Sequence, residues 1–391
     1  ATAPFLTNKV HIGMDEAFDL GLGKYFFDNH NVDQHKLITQ HANMVFKLCN
    51  KLRLKPMMWS DMWFEIGSPI HMMYDPKANV KDFGIDRKIG QVYWDYYSDD
   101  VNHYVPVIKK HFELSDNIYF AMGIWIWGRL APNQSKMLRT IKAGMQAAKE
   151  TGIKKVVATA WRDDGGETPF AASYLGWQVF ADYQYIESPT TSDFEEDFKL
   201  LQDEDYDSYS VLDEFDNLEN RPNIEDTIPS KLLFYEDLIQ PRYYQNLKDT
   251  DFTDYYNNLK KKLSTVISSK NSTLMFSYYE QLAAVLSKKA HLLSILSKNE
   301  CSIAKITQFK RNLNRLAKIR RKLWFKENKE NGSELLDIRF GGLIQRTKTV
   351  KYLLKHNNYQ MDIPDVKMDK HIKGKYGNAL YREIVSPSEI S

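Results

Sequence analysis

Five short apolar runs, spaced so that a helix fits between each and the next, constrain this chain more than any other feature. The runs are Val10–Met14, Pro56–Trp59, Val92–Tyr96, Ile118–Ile124 and Val156–Trp161. Helical periodicity fills the gaps. Leu37, Ile38, Met44, Val45, Leu48 and Leu52 recur at three-to-four spacing, and Met137, Ile141, Met145 and Ala148 do so ahead of a stop at Gly152. This is the rhythm of a parallel sheet buried on both faces. With polar residues clustered at the C-terminal end of each run, the expected fold class is α/β, the C-terminal part (about five βα units) of a TIM (β/α)8 barrel. Eight units in about 250 residues means about 30 each, so roughly 90 residues are expected to be missing before Ala1.

The 391 residues suffice for two domains, and the expected division is a partial barrel over 1–187, a linker or wrapping segment over 188–230 and an α-helical domain over 231–391. The middle segment is acidic and turn-rich. The last is helical and mostly basic, with apolar positions at Leu282, Val285, Leu286, Leu292, Leu293 and Leu296. Its cationic run Arg311, Arg315, Lys318, Arg320, Arg321 and Lys322 is interleaved with Leu313, Leu316, Ile319 and Leu323. That pattern is expected of an amphipathic bundle helix with a solvated charged face. A net charge of +2 gives no global call for nucleic acid or an anionic membrane. No apolar run approaches the roughly 18 residues of a membrane span, and the first residues lack the basic and apolar regions of a signal peptide. Cys49 and Cys301 are too few for a disulfide framework and lack metal-ligand spacing, so a reducing, cytoplasmic setting is expected.

The chemistry-bearing residues sit at the strand ends. His11-Ile12-Gly13-Met14-Asp15-Glu16 places two adjacent carboxylates after a strand and a Gly turn. Alternation along a strand points Trp59 with Asp61, Trp94 with Tyr96 and Trp161 with Asp163 to common faces, and Trp125 and Trp127 follow the fourth run in the same way. Seven of the eight Trp precede residue 180, which concentrates them in the barrel. Flat apolar walls of this kind suit the C–H face of a pyranose, and carboxylates suit its hydroxyls. Cleaving a glycosidic bond needs an acid to protonate the leaving oxygen and a negative partner for the oxocarbenium-like transition state. Asp15 and Glu16 supply both types of group.

The segment 11–16 resembles the His-x-Gly-x-Asp-Glu signature of glycoside hydrolase family 20, the β-N-acetylhexosaminidases. Trp59-x-Asp61 and Trp161-x-Asp163 fall where that family places pocket Trp with an acidic partner. Leu20-Gly21-Leu22-Gly23-Lys24-Tyr25 and Arg339-Phe340-Gly341-Gly342-Leu343 look like the subgroup with a helical domain after the barrel. Met14 stands where many members have a second Gly. The resemblance implies a retaining exo-hydrolase that removes terminal β-linked GlcNAc or GalNAc through an oxazolinium intermediate, with the substrate's own acetamido oxygen as nucleophile. Glu16 would be the general acid and then base, its pKa raised by Asp15 and partial burial. Asp15 would orient the acetamido group, and His11 would lie beside both acids. Trp59, Trp94, Trp125 and Trp161 would wall the sugar pocket, Tyr96 (with Tyr97 and Tyr119 as rivals) would bind the acetamido oxygen, and Asp61 and Asp163 would complete the polar lining, with Glu167 a weaker candidate. No position matches the Arg that the family's early strands contribute to the ring hydroxyls, so activity of this chain alone is expected to be impaired.

The resemblance implies no cofactor and no metal, and glycans or glycoconjugates ending in an N-acetylhexosamine as partners, with a homodimer compatible. Two other classes stay open: a pseudoenzyme that binds an amino sugar without cleaving it, and a metal-dependent barrel hydrolase, which a chelator would inhibit.

Overall fold

The computed structural model describes residues 7–30, 32–162, 165–218, 227–363, 376–377 and 379–386. They form two compact units, one of residues 1–123 with 139–159 and one of 124–138 with 160–391.

In the first unit β1 (Lys9–His11), β2 (Lys55–Trp59), β3 (Gly90–Trp94), β4 (Ile118–Gly123) and β5 (Val156–Thr159) pair in parallel, in chain order. Helices lie between them: α1 (Lys24–Asn29), α2 (Gln34–Lys51), α3 (Asp61–Gly67), α4 (Val101–Leu114) and most of α5 (Gln134–Thr151). Each strand lies beside its predecessor across a helical crossover, and strand twist then accumulates in one direction. The result is a curled half-barrel. Lys9 Nζ on β1 reaches within 6.0 Å of the Tyr119 ring on β4, three strands away.

Alternation assigns the two faces. Phe120 and Met122 of β4 pack on Gly144 of α5, while Gln91 of β3 accepts from Trp63 Nε1 of α3 at 3.0 Å. These residues face the helices. Gly90, Val92 and Trp94 therefore face the concave side, together with Met57 and Trp59 of β2, Lys9 and His11 of β1, and Tyr119 and Ala121 of β4. Every residue of β3 and β4 is buried, as the continuous apolar runs require. Pro56 costs the ladder nothing. Lys55 N donates to Asn8 O on the β1 side, so the Pro56 nitrogen points toward β3, whose pairing begins only at Met57 and Gly90.

All five expected strands are present, but those expected to reach Met14, Tyr96 and Trp161 end earlier, at His11, Trp94 and Thr159. The residues beyond them form the strand-end loops. Helix α2 is apolar on two sides. Ile38, Ala42, Phe46 and Cys49 are buried, whereas Met44, Leu48 and the capping Leu52 are 52%, 51% and 69% exposed.

The second unit is helical: α6 (Tyr174–Tyr185), α7 (Thr191–Gln202), α8 (Tyr206–Ser210), α9 (Pro229–Tyr235), α10 (Tyr244–Leu247), α11 (Phe252–Leu263), α12 (Thr273–Ser297), α13 (Ile303–Glu327), α14 (Ser333–Lys355) and α15 (Tyr381–Ile384). Helices α11 to α14 pack each on the next. Two acidic residues of 188–218 serve at helix starts: Asp193 forms a reciprocal box with Thr190 at α7, and Asp205 caps α8. Phe198, Tyr209, Leu212 and Phe215 there are fully buried. Helix α13 has the expected amphipathic form, with Leu313, Leu316 and Leu323 buried and Arg311, Arg315, Lys318 and Lys322 exposed. Arg320 departs from the pattern. It points inward at 1% exposure. Among the described residues, no helix is long and apolar enough to cross a membrane.

Candidate active site

The chain leaves β1 through a strained turn. Ile12 N still donates to Met57 O at 2.8 Å and Trp59 N to Gly13 O at 3.1 Å, so the ladder continues briefly past His11. Gly13 (φ 72°), Met14 (φ 76°) and Glu16 (φ 47°) then adopt left-handed backbone. The conformation at Met14 explains a Gly at that position in other sequences of this pattern, since a side chain there costs about 1–2 kcal/mol. The turn presents Asp15 and Glu16 at the C-terminal end of the sheet, both exposed. Glu16 thus lacks the partial burial expected from sequence.

The turn is held from the next strand. Glu16 N donates to Asp61 Oδ2 at 2.7 Å, and Trp94 Nε1 donates to Asp61 Oδ1 at 3.2 Å. Asp61 opens α3, where a carboxylate complements the helix dipole. It is fully buried. Burial pushes its carboxyl up to about 6, against the donors from Glu16 and Trp94 that favour the anion. One side chain thus joins the ends of β1, β2 and β3.

His11 stacks on Trp59 with ring centroids 4.5 Å apart. Its Nδ1 accepts from Gly13 N at 3.1 Å, which requires that nitrogen unprotonated and leaves Nε2–H as the donor. Desolvation lowers the imidazole pKa, partly opposed by Asp15, in keeping with a neutral ring. Trp94 stacks on Tyr96 at 5.7 Å and 30°, and Tyr96 contacts the half-exposed Tyr97. Each predicted pair, Trp59 with Asp61 and Trp94 with Tyr96, lies on the concave side.

Tyr119 does not join them. It sits low in β4, beside Lys155 at 5.1 Å, Lys9 and Gly90, at the N-terminal end of the sheet. Alternation gave its face correctly, but its height depends on the register Val92↔Tyr119. Tyr74 is the residue that sequence reasoning missed. Its hydroxyl accepts from Trp94 N at 3.3 Å and its ring meets Trp94 edge-on at 5.8 Å. Burial raises its pKa well above the usual range, with the nearby Asp61 charge contributing. It lies in irregular chain with φ 56°, where no periodicity marks it.

The remaining predicted residues belong to the second unit. Trp125 is buried, stacked on Trp127 at 4.3 Å, with Lys136 Nζ 3.9 Å from its ring. Trp161 is half-buried. Asp163 lies outside the described residues. Glu167 is buried, with Lys231 Nζ at 2.8 Å and Arg339 Nη1 at 2.7 Å. Among the described residues, no three His, Cys, Asp or Glu group as a metal site.

The concave end of the half-barrel therefore offers two exposed carboxylates beside an imidazole and aromatic rings, a set suited to acid–base work on a polar ring. No curated protein matches the chain. Residues 207–363, which span α9 to α14, match the family model for the Glycoside Hydrolase 20C C-terminal domain. That match, in the helical part, supports membership of glycoside hydrolase family 20, the family whose signature the turn at 11–16 resembles.

Proposed function

We propose that the chain is a retaining exo-β-N-acetylhexosaminidase acting on terminal β-GlcNAc or β-GalNAc by substrate-assisted catalysis. The observation that supports this reading is the tie from Glu16 N through Asp61 to Trp94, which links the turn bearing the adjacent carboxylates to an aromatic side chain of β3. Glu16 protonates the leaving oxygen and then activates water. Asp15 holds the acetamido N–H and offsets the oxazolinium charge. Trp59 and Trp94 wall the sugar, Tyr96 donates to the acetamido oxygen, and His11 presents Nε2–H toward a hydroxyl.

The five strands are read as part of a (β/α)8 barrel. Edge strand β1 and the exposed second apolar stripe of α2 are the surfaces a further βα unit would cover. The test is nitrophenol release from an aryl β-GlcNAc glycoside, by this chain and by one extended upstream, each with a Glu16→Gln control. Turnover lost in the control supports the reading. Folded protein without turnover in either form refutes it.

A further inference from the structure

The loop that leaves β3 is anchored through one buried carboxylate. Asp95 is 7% exposed and faces three donors. His103 Nε2 lies 2.7 Å from its Oδ2, Tyr93 Oη donates to the same oxygen at 3.0 Å, and Tyr97 N donates to Oδ1 at 3.2 Å. A carboxylate only accepts, so His103 carries its proton on Nε2. The chain beyond is pinned as well. Ser98 N donates to Tyr104 Oη at 3.2 Å, Tyr104 Oη donates to Ser98 O at 2.5 Å, and Asp99 pairs with Arg139 of α5.

All these groups belong to the first unit, together with Asp15 and Glu16. The donors are themselves held in place. Tyr93 is fully buried on the helix side of the sheet, stacked on Phe120 at 4.9 Å and 12° and against His111 of α4 at 4.8 Å. His103 lies in the first turn of α4, which Asp100 caps by accepting from Asn102 N at 2.9 Å. Asp95 and Tyr97 are thus joined across Tyr96, which is 2% exposed and stacked on Trp94. Turning the Tyr96 ring would break this bracket.

We propose that Asp95 is a positioning residue, with His103 as its orienting partner, and that the pair aims the Tyr96 hydroxyl at the 2-acetamido group of the sugar. The proposal rests on the hexosaminidase reading. A hydroxyl donor acts only within a narrow range of distance and angle, so a small shift of the ring forfeits the bond. Selection for the acetamido group is then set from the helix side of the sheet, behind the concave face.

The test is a double-mutant cycle on the full chain, read by the Kd of the 2-acetamido derivative of deoxynojirimycin, with deoxynojirimycin itself as control. Asp95→Asn should raise Kd for the acetamido compound about tenfold and His103→Gln about threefold. Affinity for the parent iminosugar should stay within about twofold, and in a Tyr96→Phe background Asp95→Asn should add no more than about twofold. An Asp95→Asn effect of equal size with and without the Tyr96 hydroxyl, or equal on both iminosugars, would overturn the positioning role and leave the glycosidase reading intact. If Asp95→Asn does not fold, His103→Gln at the half-exposed position decides: wild-type Kd there would overturn the pair. A folded wild-type chain that neither binds the acetamido compound nor shows Glu16-dependent turnover would sink the hexosaminidase reading and the proposal with it.

Discussion

Asp61→Asn separates the cost of Asp61 to the fold from its use to the site. Asp61 accepts from Glu16 N at 2.7 Å and Trp94 Nε1 at 3.2 Å while fully buried. An amide has one acceptor oxygen, so one of those donors would face an NH2 group. The lost charge-assisted bond, with a donor left unsatisfied, is worth about 2–4 kcal/mol. Expressed on the placement of Glu16, that lowers kcat/KM by roughly 30- to 1000-fold.

Stability should behave differently. The carboxyl is raised from 3.8 to about 6, so between those pH values the native state holds a proton that the unfolded chain has released. Stability of the wild type therefore falls as pH rises through that window, by roughly 3 kcal/mol at about 1.36 kcal/mol per pH unit. The neutral amide is spared this loss. Denaturant unfolding at pH 4 and pH 7.5 should show the variant gaining about 2–2.5 kcal/mol on the wild type between the two, since part of the change already lies below pH 4. A stability difference independent of pH would refute the argument that desolvation dominates at Asp61, whatever the activity shows.

Four further outcomes follow from the same physics. Glu16→Gln should remove turnover of the aryl glycoside while leaving the melting temperature within a few degrees. Met14→Gly relieves a left-handed non-glycine and should stabilise the fold by about 1 kcal/mol in thermal melts, less any packing lost with the side chain. Lys289→Met should destabilise by about 3–5 kcal/mol in urea titration, because Lys289 donates to Phe234 O at 2.7 Å and to Glu236 O and faces the buried Glu236 carboxyl. Adding Glu236→Gln should restore part of that loss. His103 is raised by its hydrogen bond to Asp95, 2.7 Å away, so this contribution is full below pH 6.5 and fades as pH rises through the raised value. The slope should be shallow, since His103 is half-exposed, and absent in His103→Gln.

The sequence carried the sheet because β3 and β4 are apolar at nearly every buried position, Gln91 being the exception. It carried the concave faces of Trp59 and Trp94 because a two-residue period needs no tertiary information, whereas Asp61 in α3 and Tyr96 after β3 lie past the strand ends. Height along the sheet is another matter. Tyr119 shares the concave face but lies at the wrong end, and only inter-strand register decides that. Tyr74 was illegible because the chain between α3 and β3 has no period to read. Arg320 hid within a charged run, where helical phase places it opposite Lys318 and Lys322 and on the side of Leu313, Leu316 and Leu323. The turn at Met14 was legible as a motif, but its left-handed backbone and its anchor on Asp61 are three-dimensional facts.

The buried pairing of Glu167 with Lys231 and Arg339, in the loop after Trp161, also sets an order on biosynthesis. Tyr235 leaves the ribosome 68 residues after Glu167, and Arg320 follows Gly166 by 154. At about 5–20 residues per second, the loop waits roughly 8–30 s for Arg320, and longer for Arg339. Until then Glu167 is a solvated carboxylate on a nascent chain whose barrel strands have already emerged. Completion of the strand-end loop is thus among the last folding events, and a ribosome stalled before α14 would hold folded strands with an unfinished rim.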